Sequence, residues 1–298
     1  MGRLRMARKK LRGTLWATMV VLPVAGCATA PLDEAGSLSS YTDLAQADGL
    51  LAKSKLRVDK EKVLAAKTVR LVPTTFAQPA RHDTVTDEQR KLVANAVDRA
   101  LCAGLSERFE VVSANEPADL TVHAVVTHMT PTDETAVAAT KIASVAKSFI
   151  LPGVPVPTPR LPIGLGSLSL EAEARTSTGT QEAAMVWGRG ANFLSGSARV
   201  SKSGDAYELA GAFGDDFSKL LVTGESPFKS LSGPPSAQRL QSWAGGAPKY
   251  AACEAFGREQ GVTGLVSGAM GLPPEWTDKG NGAGAATVAA AAPPPPEQ

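Results

Sequence analysis

The first 26 residues constrain the fold most, because they have the pattern of a segment that is removed before the chain folds. Six Lys or Arg residues and no acid occupy the first twelve positions, and an uncharged stretch follows from Thr14 to Ala25. This pattern is typical of a secretory signal peptide, and the apolar run is too short to span a membrane as a mature helix. No uncharged apolar run in the chain reaches the roughly 18 residues of a spanning helix. We therefore predict a signal peptide over 1–26 and exclude a polytopic membrane protein.

The predicted signal peptide ends at a cysteine that small residues precede, in the sequence Val24-Ala25-Gly26-Cys27. This pattern resembles a bacterial lipoprotein lipobox, in which the cysteine thiol takes a diacylglycerol. We predict lipidation of Cys27 by two or three acyl chains such as palmitate, which is enough for stable anchoring. An ordinary secretory signal with an accidental cysteine is the alternative. In the sorting rule known for such lipoproteins, an Asp after the cysteine favours the inner membrane. Ala28 follows here, so the resemblance implies the periplasmic face of the outer membrane.

The net charge of the mature chain argues against a nucleic-acid partner. The full chain has 31 Lys and Arg against 29 Asp and Glu, a formal charge of +2. Loss of the six leader cations brings this charge to about −4, so the basic character belongs to the leader. We therefore predict no nucleic-acid binding.

The pattern of apolar residues after the leader predicts an α+β domain. Thr86 and Gln89 have the spacing of a capping box, and Asp205 and Glu208 can cap a last helix in the same way. Alternating apolar residues between these helices predict strands and one hairpin. The predicted elements are a strand at or near an edge over 68–76, a helix over 87–108, strands over 109–113 and 119–129, a helix over 132–150, a hairpin over 167–187 and a helix over 205–222. Together they predict a mostly antiparallel twisted sheet with helices packed on it, in the order β-α-β-β-(α)-β-β-α.

Composition divides the mature chain into four predicted parts. These are an acylated N-terminus and tether over 27–40, an α+β lipoprotein domain over 41–224, an irregular extension packed on the domain over 225–278, and a disordered Ala/Gly/Pro tail over 279–298. The extension carries widely spaced aromatic residues in a Gly-, Ser- and Pro-rich sequence. The tail has too few groups to bury to offset the entropy of ordering it.

Several stretches between Gly36 and Val222 carry a resemblance to a known family. They are Gly36-Ser37-Leu38-Ser39-Ser40-Tyr41-Thr42-Asp43-Leu44, Phe109-Glu110-Val111-Val112, Ala118-Asp119-Leu120-Thr121-Val122, Leu170-Glu171-Ala172-Glu173-Ala174 and the final amphipathic helix. With these residues the chain resembles the bacterial lipoproteins catalogued as domain of unknown function 3313. None of the stretches is a catalytic signature. The element order is also similar to that of modules in envelope lipoproteins that assemble with other proteins, so the resemblance implies a partner in the envelope.

Two cysteines remain after lipidation, in a compartment that oxidises thiols. On the helix predicted over 87–108, Cys102 falls on the polar side rather than on the Leu/Val stripe. A lone surface thiol there would be a liability, so we predict a disulfide between Cys102 and Cys253 that pins the extension to this helix. Two separately buried thiols are the alternative.

Two carboxylates on the predicted hairpin provide the one enzymatic hypothesis. Glu171 and Glu173 share a strand face about 7 Å apart, a spacing at which paired carboxylates can cleave a glycoside. Arg175 lies on the same face and would pair with Glu173. A solvated sheet face explains the same residues without catalysis.

The three histidines do not form a predicted metal site. His123 and His128 are an odd number apart on one predicted strand, so they should point to opposite faces, and His82 lies in a predicted loop. We predict no metal and no other cofactor.

A proline-rich stretch precedes the hairpin. Val154, Val156 and Arg160 in it can form an exposed polyproline-type strip for a partner, or belong to a stiff connector.

These observations favour a membrane-anchored envelope lipoprotein with a non-enzymatic, structural or partner-binding role. The alternative is a periplasmic glycan- or peptidoglycan-active enzyme that uses Glu171 and Glu173.

Overall fold

A mixed eight-stranded sheet lies at the centre of the computed structural model, which describes residues 30–80, 84–150, 160–192, 198–229, 235–278 and 280. The strands are β1 (Ala45–Gln46), β2 (Ala52–Val58), β3 (Thr68–Leu71), β4 (Thr75–Phe76), β5 (Glu110–Val112), β6 (Leu120–Thr130), β7 (Ser167–Thr176) and β8 (Gln181–Gly190). They lie in the order β1-β2-β8-β7-β6-β3-β5, and β4 also pairs with β6. The pairs β1–β2, β2–β8, β8–β7 and β7–β6 are antiparallel. The pairs β6–β3, β6–β4 and β3–β5 are parallel.

Seven α-helices accompany the sheet in the described part of the chain. They are α1 (Lys60–Ala65), α2 (Asp87–Leu105), α3 (Glu134–Ile150), α4 (Gly204–Thr223), α5 (Ala237–Trp243), α6 (Gly261–Met270) and α7 (Pro274–Thr277), with short 3-10 helices at Gln78–Ala80 and Ala251–Phe256. The prediction of an α+β fold with a mostly antiparallel sheet is confirmed. Within the described ranges, none of the helices has the length and apolar character to cross a membrane.

The main core lies between one face of the sheet and helices α2 and α4. Trp187 of β8 meets Phe213 of α4 edge to face, with 5.5 Å between ring centroids, and Phe213 stacks on Phe217 at 6.0 Å. All three rings are fully buried, and burial of each contributes about 2–3 kcal/mol to the stability of the fold. Gly214 lets the two helices approach, since a Cβ there would lie only 2.4 Å from that of Ala100.

The start of α2 is as the sequence predicts, whereas the start of α4 is not. The Thr86 hydroxyl accepts from the Gln89 amide N–H, and the Gln89 side chain accepts from the Thr86 amide N–H. At α4, Ser203 occupies the cap position without a side-chain cap hydrogen bond. Asp205 and Glu208 instead pair with arginines from other segments. The spacing of a capping box was therefore misleading there.

The amino-terminal part of the domain contains elements that the sequence analysis did not predict. Strands β1 and β2 and helix α1 precede the predicted first strand. That strand is broken around Pro73 into β3 and β4, and β3 lies inside the sheet between β6 and β5. Proline lacks the N–H that a continuous strand would need here.

A bulge in β6 changes the expected placement of the histidines. The register shifts between Val126 and His128, after which His128 lies opposite Ser169, while His123 lies opposite Glu173. Residues directly opposite each other point to the same face, so the prediction that the two histidines face opposite sides is wrong. They are separated by about 13 Å along the strand.

The polar side of α2 is buried rather than exposed. Asp98 accepts hydrogen bonds from the Thr74 amide and hydroxyl at 3.0 and 2.6 Å, which fixes the loop after β3. Burial raises the pKa of the Asp98 carboxyl to about 7, and the bonds from Thr74 oppose this rise.

Candidate functional site

The second face of the sheet is covered by the start of the described chain. We call residues 30–44 the amino-terminal segment. It runs along β7, with the Pro31 carbonyl accepting from the Ser169 hydroxyl at 2.7 Å and the Ser40 carbonyl accepting from Gln181 at 3.1 Å. Leu38 is buried in a small apolar cluster with Ala184 and Val186 of β8. The segment predicted as a tether over 27–40 therefore packs on the sheet in its described part.

Glu171 is the main polar contact between the sheet and the amino-terminal segment. Its side chain is fully buried. Its carboxylate accepts from the Ala35 amide at 2.7 Å, from the Ser37 amide at 3.1 Å and from the Tyr41 hydroxyl at 2.7 Å, and also from the Ser37 hydroxyl. Burial raises the pKa of Tyr41, and its hydrogen bond to Glu171 raises it further.

Glu173 makes the next contact along the strand. It accepts from the Ser39 amide at 2.8 Å, the Ser39 hydroxyl at 2.6 Å and the Gln181 side chain at 2.7 Å. The Nε atom of Arg175 lies 3.2 Å from Oε1 of Glu173, so the two side chains form the ion pair that the sequence predicted. Burial acts to raise the pKa of Glu173, but the bonds from Ser39 and Gln181 and the charge of Arg175 outweigh it, so the pKa is lowered.

This geometry determines what the two carboxylates can do chemically. The interpretation of these residues as a solvated sheet face is wrong, because Glu171 and Glu173 are both buried. Each carboxylate is surrounded by hydrogen-bond donors from the chain itself. A glycan would have to displace the amino-terminal segment to reach them, so in this conformation they act as acceptors that hold the segment.

The partners of these carboxylates were not predicted from the sequence. Ser37, Ser39 and Tyr41 lie in the first stretch that carried the family resemblance, but they are more than 125 residues before β7. The only local signal was the pair of glutamates on one strand face. A buried pair of this kind needs donors from elsewhere in the chain, and periodicity does not show where they come from.

Arg160 has a different environment from the one predicted. Its guanidinium makes a bidentate ion pair with the Asp205 carboxylate at 2.6 and 3.1 Å, and both side chains are buried. Asp205 also accepts from the Gly166 amide at 2.8 Å. Arg160 therefore fixes the loop before β7 to the start of α4 and is not part of an exposed strip. Val154 and Val156 lie outside the described residues.

The predicted disulfide is confirmed. Cys102 of α2 and Cys253 of the extension are bonded, with 5.9 Å between their Cα atoms. This bond joins residues 151 positions apart in the sequence.

A buried polar cluster fixes the end of the extension to the same helices. Arg99 pairs with Asp278, and the Tyr207 hydroxyl donates to Asp278 at 2.7 Å. Gln260 donates to the Tyr207 hydroxyl at 2.9 Å. Burial raises the pKa of Tyr207 despite the nearby Arg99. The extension thus covers the polar side of α2.

The described residues contain no cluster of three or more His, Cys, Asp or Glu side chains that could hold a metal ion. Cys27 and His82, which the sequence analysis also named, lie outside the described ranges, as do the signal peptide predicted over 1–26 and the tail predicted over 279–298 except for Gly280.

Comparison with known proteins gives a family and several similar solved structures. The model of the family described as Protein of unknown function (DUF3313) matches residues 33–217. No curated protein matches the chain. Two PelC dodecamers from Paraburkholderia phytofirmans are similar at 10% identity and a TM-score of 0.31. The match to one of them, a single-residue variant, covers 55% of this chain and 95% of the PelC chain. The match to the other covers 61% of this chain and 100% of the PelC chain. A TM-score of 0.31 does not establish a shared fold.

Proposed function

The chain belongs to the protein family of unknown function DUF3313, and from this premise we propose that it is a lipoprotein of the bacterial envelope. In this proposal, lipid on Cys27 anchors it to the outer membrane on the periplasmic face. There it has a structural, non-enzymatic role and binds a protein partner.

The observation that supports this role most is the exposed apolar face of α6. Val262, Leu265, Val266 and Met270 share one side of this helix, and each is more than half exposed. The other side packs on the domain, where the Gly264 carbonyl accepts from Arg199 at 3.2 Å. An exposed apolar surface of this kind is typical of a protein–protein contact. We propose that it binds an envelope protein with a complementary apolar surface.

No observation in the described part of the chain favours the glycan-active alternative. Both carboxylates that it would use hold the amino-terminal segment.

Photo-crosslinking in living cells tests the proposed partner contact. A photoreactive amino acid at Leu265 is expected to give one discrete adduct, which mass spectrometry identifies as an envelope protein. The same probe at Thr178, in the exposed turn between β7 and β8, is the matched control. Adding Val266→Asp to the Leu265 probe should lower the adduct yield about tenfold or more, because a charge on this face opposes burial.

The proposed partner role would be contradicted by equal adducts from both probe positions, or by an adduct at Leu265 that Val266→Asp leaves unchanged. Circular dichroism of each variant shows that the loss of an adduct does not come from unfolding.

A further inference from the structure

The amino-terminal segment enters the fold at one end of the sheet. Ala30 and Pro31 lie against Gly188, close to the end of β8, and Pro31 also contacts Ser169 near the start of β7. From there the segment runs toward Glu173 and the far end of β7. Ala30 therefore lies at the end of the sheet where β7 begins.

The distance between this point and the predicted lipid anchor is short. Cys27 is three residues before Ala30. An extended chain spans at most about 3.6 Å per residue, so the two Cα atoms are at most about 11 Å apart. A lipid on Cys27 therefore places the membrane close to this end of the sheet.

The same end carries exposed apolar side chains on two loops. Leu50 is 99% exposed and Leu51 is 44% exposed, in the turn just before β2, where Ala52 lies opposite Arg189. Leu161 and Ile163 are 43% and 63% exposed in the loop before β7. This loop is fixed to the end of β6 through the Gly164 carbonyl, which accepts from the Asp133 amide at 2.9 Å.

The opposite end of the sheet has a contrasting composition. The turn between β7 and β8 is Thr176-Ser177-Thr178-Gly179-Thr180, and the turn before β6 includes Asn115 and Glu116. These turns are polar and mostly exposed. The two loops at the end of the sheet near Ala30 thus carry exposed apolar side chains, whereas the two turns at the opposite end are polar.

We propose that Leu50, Leu51, Leu161 and Ile163 insert into the surface of the bilayer that holds the lipid on Cys27. This inference rests on the proposed lipid anchor. Transfer of apolar side chains from water to the acyl-chain boundary is favourable, so side chains next to an acyl anchor strengthen membrane binding beyond that of the lipid. The domain then stands on the membrane with β6, β7 and β8 pointing away from it, and the Thr178 turn faces the periplasm.

Site-specific fluorescence on the acylated full-length mature protein tests this orientation. Leu50→Cys and Ile163→Cys variants are labelled with an environment-sensitive dye. The new thiol is the one that reacts, because Cys102 and Cys253 form a disulfide and Cys27 carries lipid. Thr178→Cys is the matched control, about 30 Å away along the strands. The vesicles contain phosphatidylethanolamine and phosphatidylglycerol with brominated acyl chains, which quench nearby dye.

Dye at Leu50 and Ile163 should shift its emission to shorter wavelength and lose most of its intensity to the brominated chains, whereas dye at Thr178 should do neither. If the protein floats with the vesicles but all three dyes remain unquenched, the orientation is wrong while the lipid anchor stands. If mass spectrometry shows no acyl groups and the protein does not float, both are wrong. Crosslinking of position 50 to protein instead of lipid in native membranes would also overturn the inference.

Discussion

Replacing Glu171 with alanine is expected to free the amino-terminal segment from the sheet while the rest of the domain stays folded. The change removes the acceptor for the amides of Ala35 and Ser37 and for the Tyr41 hydroxyl. Buried donors without an acceptor cost about 1–3 kcal/mol each, so three of them destabilise the bound state of the segment by roughly 3–9 kcal/mol. Because the segment precedes the first strand, it can leave the sheet and hydrate these donors without disturbing the main core.

Hydrogen exchange resolved by peptide measures this release. Amides of residues 35–41 should lose protection by about two orders of magnitude or more, while those of β6 and α4 change little. Glu171→Gln keeps one carbonyl acceptor and should give an intermediate loss. Glu110→Ala, at an exposed glutamate of the edge strand β5, is the matched control. Unchanged protection of residues 35–41 in Glu171→Ala would show that the carboxylate does not hold the segment.

Removal of the disulfide is expected to give the second large effect. The bond closes a loop of about 150 residues, and the chain-entropy model gives about 4–5 kcal/mol for a loop of that length. The double variant Cys102→Ser/Cys253→Ser should therefore unfold at lower denaturant concentration, with a free energy of unfolding lower by about 2–5 kcal/mol. The extension should also become more sensitive to protease, because only non-covalent contacts, such as the Arg99–Asp278 pair and the packing of Phe256, then hold it.

Reductant separates the loss of the bond from other effects of the substitutions. It should destabilise the parent chain to about the level of the double variant and leave the double variant unchanged. A parent chain whose unfolding does not respond to reductant under denaturing conditions would contradict a structural disulfide between these residues.

Periodicity predicted the elements whose signals are local. The helical spacing of α2 and α4 and the strict alternation of β7 and β8 are each complete within about twenty residues, so their apolar faces could be read from sequence. The pairing of Cys102 with Cys253 was also predictable, because two thiols remained for one bond in the predicted oxidising compartment.

The face of the sheet that the amino-terminal segment covers could not be predicted in this way. Alternation in β7 placed Glu171 and Glu173 together, but did not show that serines more than 130 positions earlier donate to them. The proline-rich surroundings of Arg160 likewise gave no sign of its partner Asp205. A single-residue bulge moved His128 to the face of His123. Long-range pairing and register shifts of this kind leave little trace in local sequence.

The most direct test of the account is the intact mass of the protein purified from bacterial membranes, measured beside that of Cys27→Ala. We expect the parent chain to begin at Cys27 and to carry a diacylglyceryl group with or without a further acyl chain, and the Cys27→Ala variant to carry neither. A parent chain that retains residues 1–26 and an unmodified Cys27 would contradict the account.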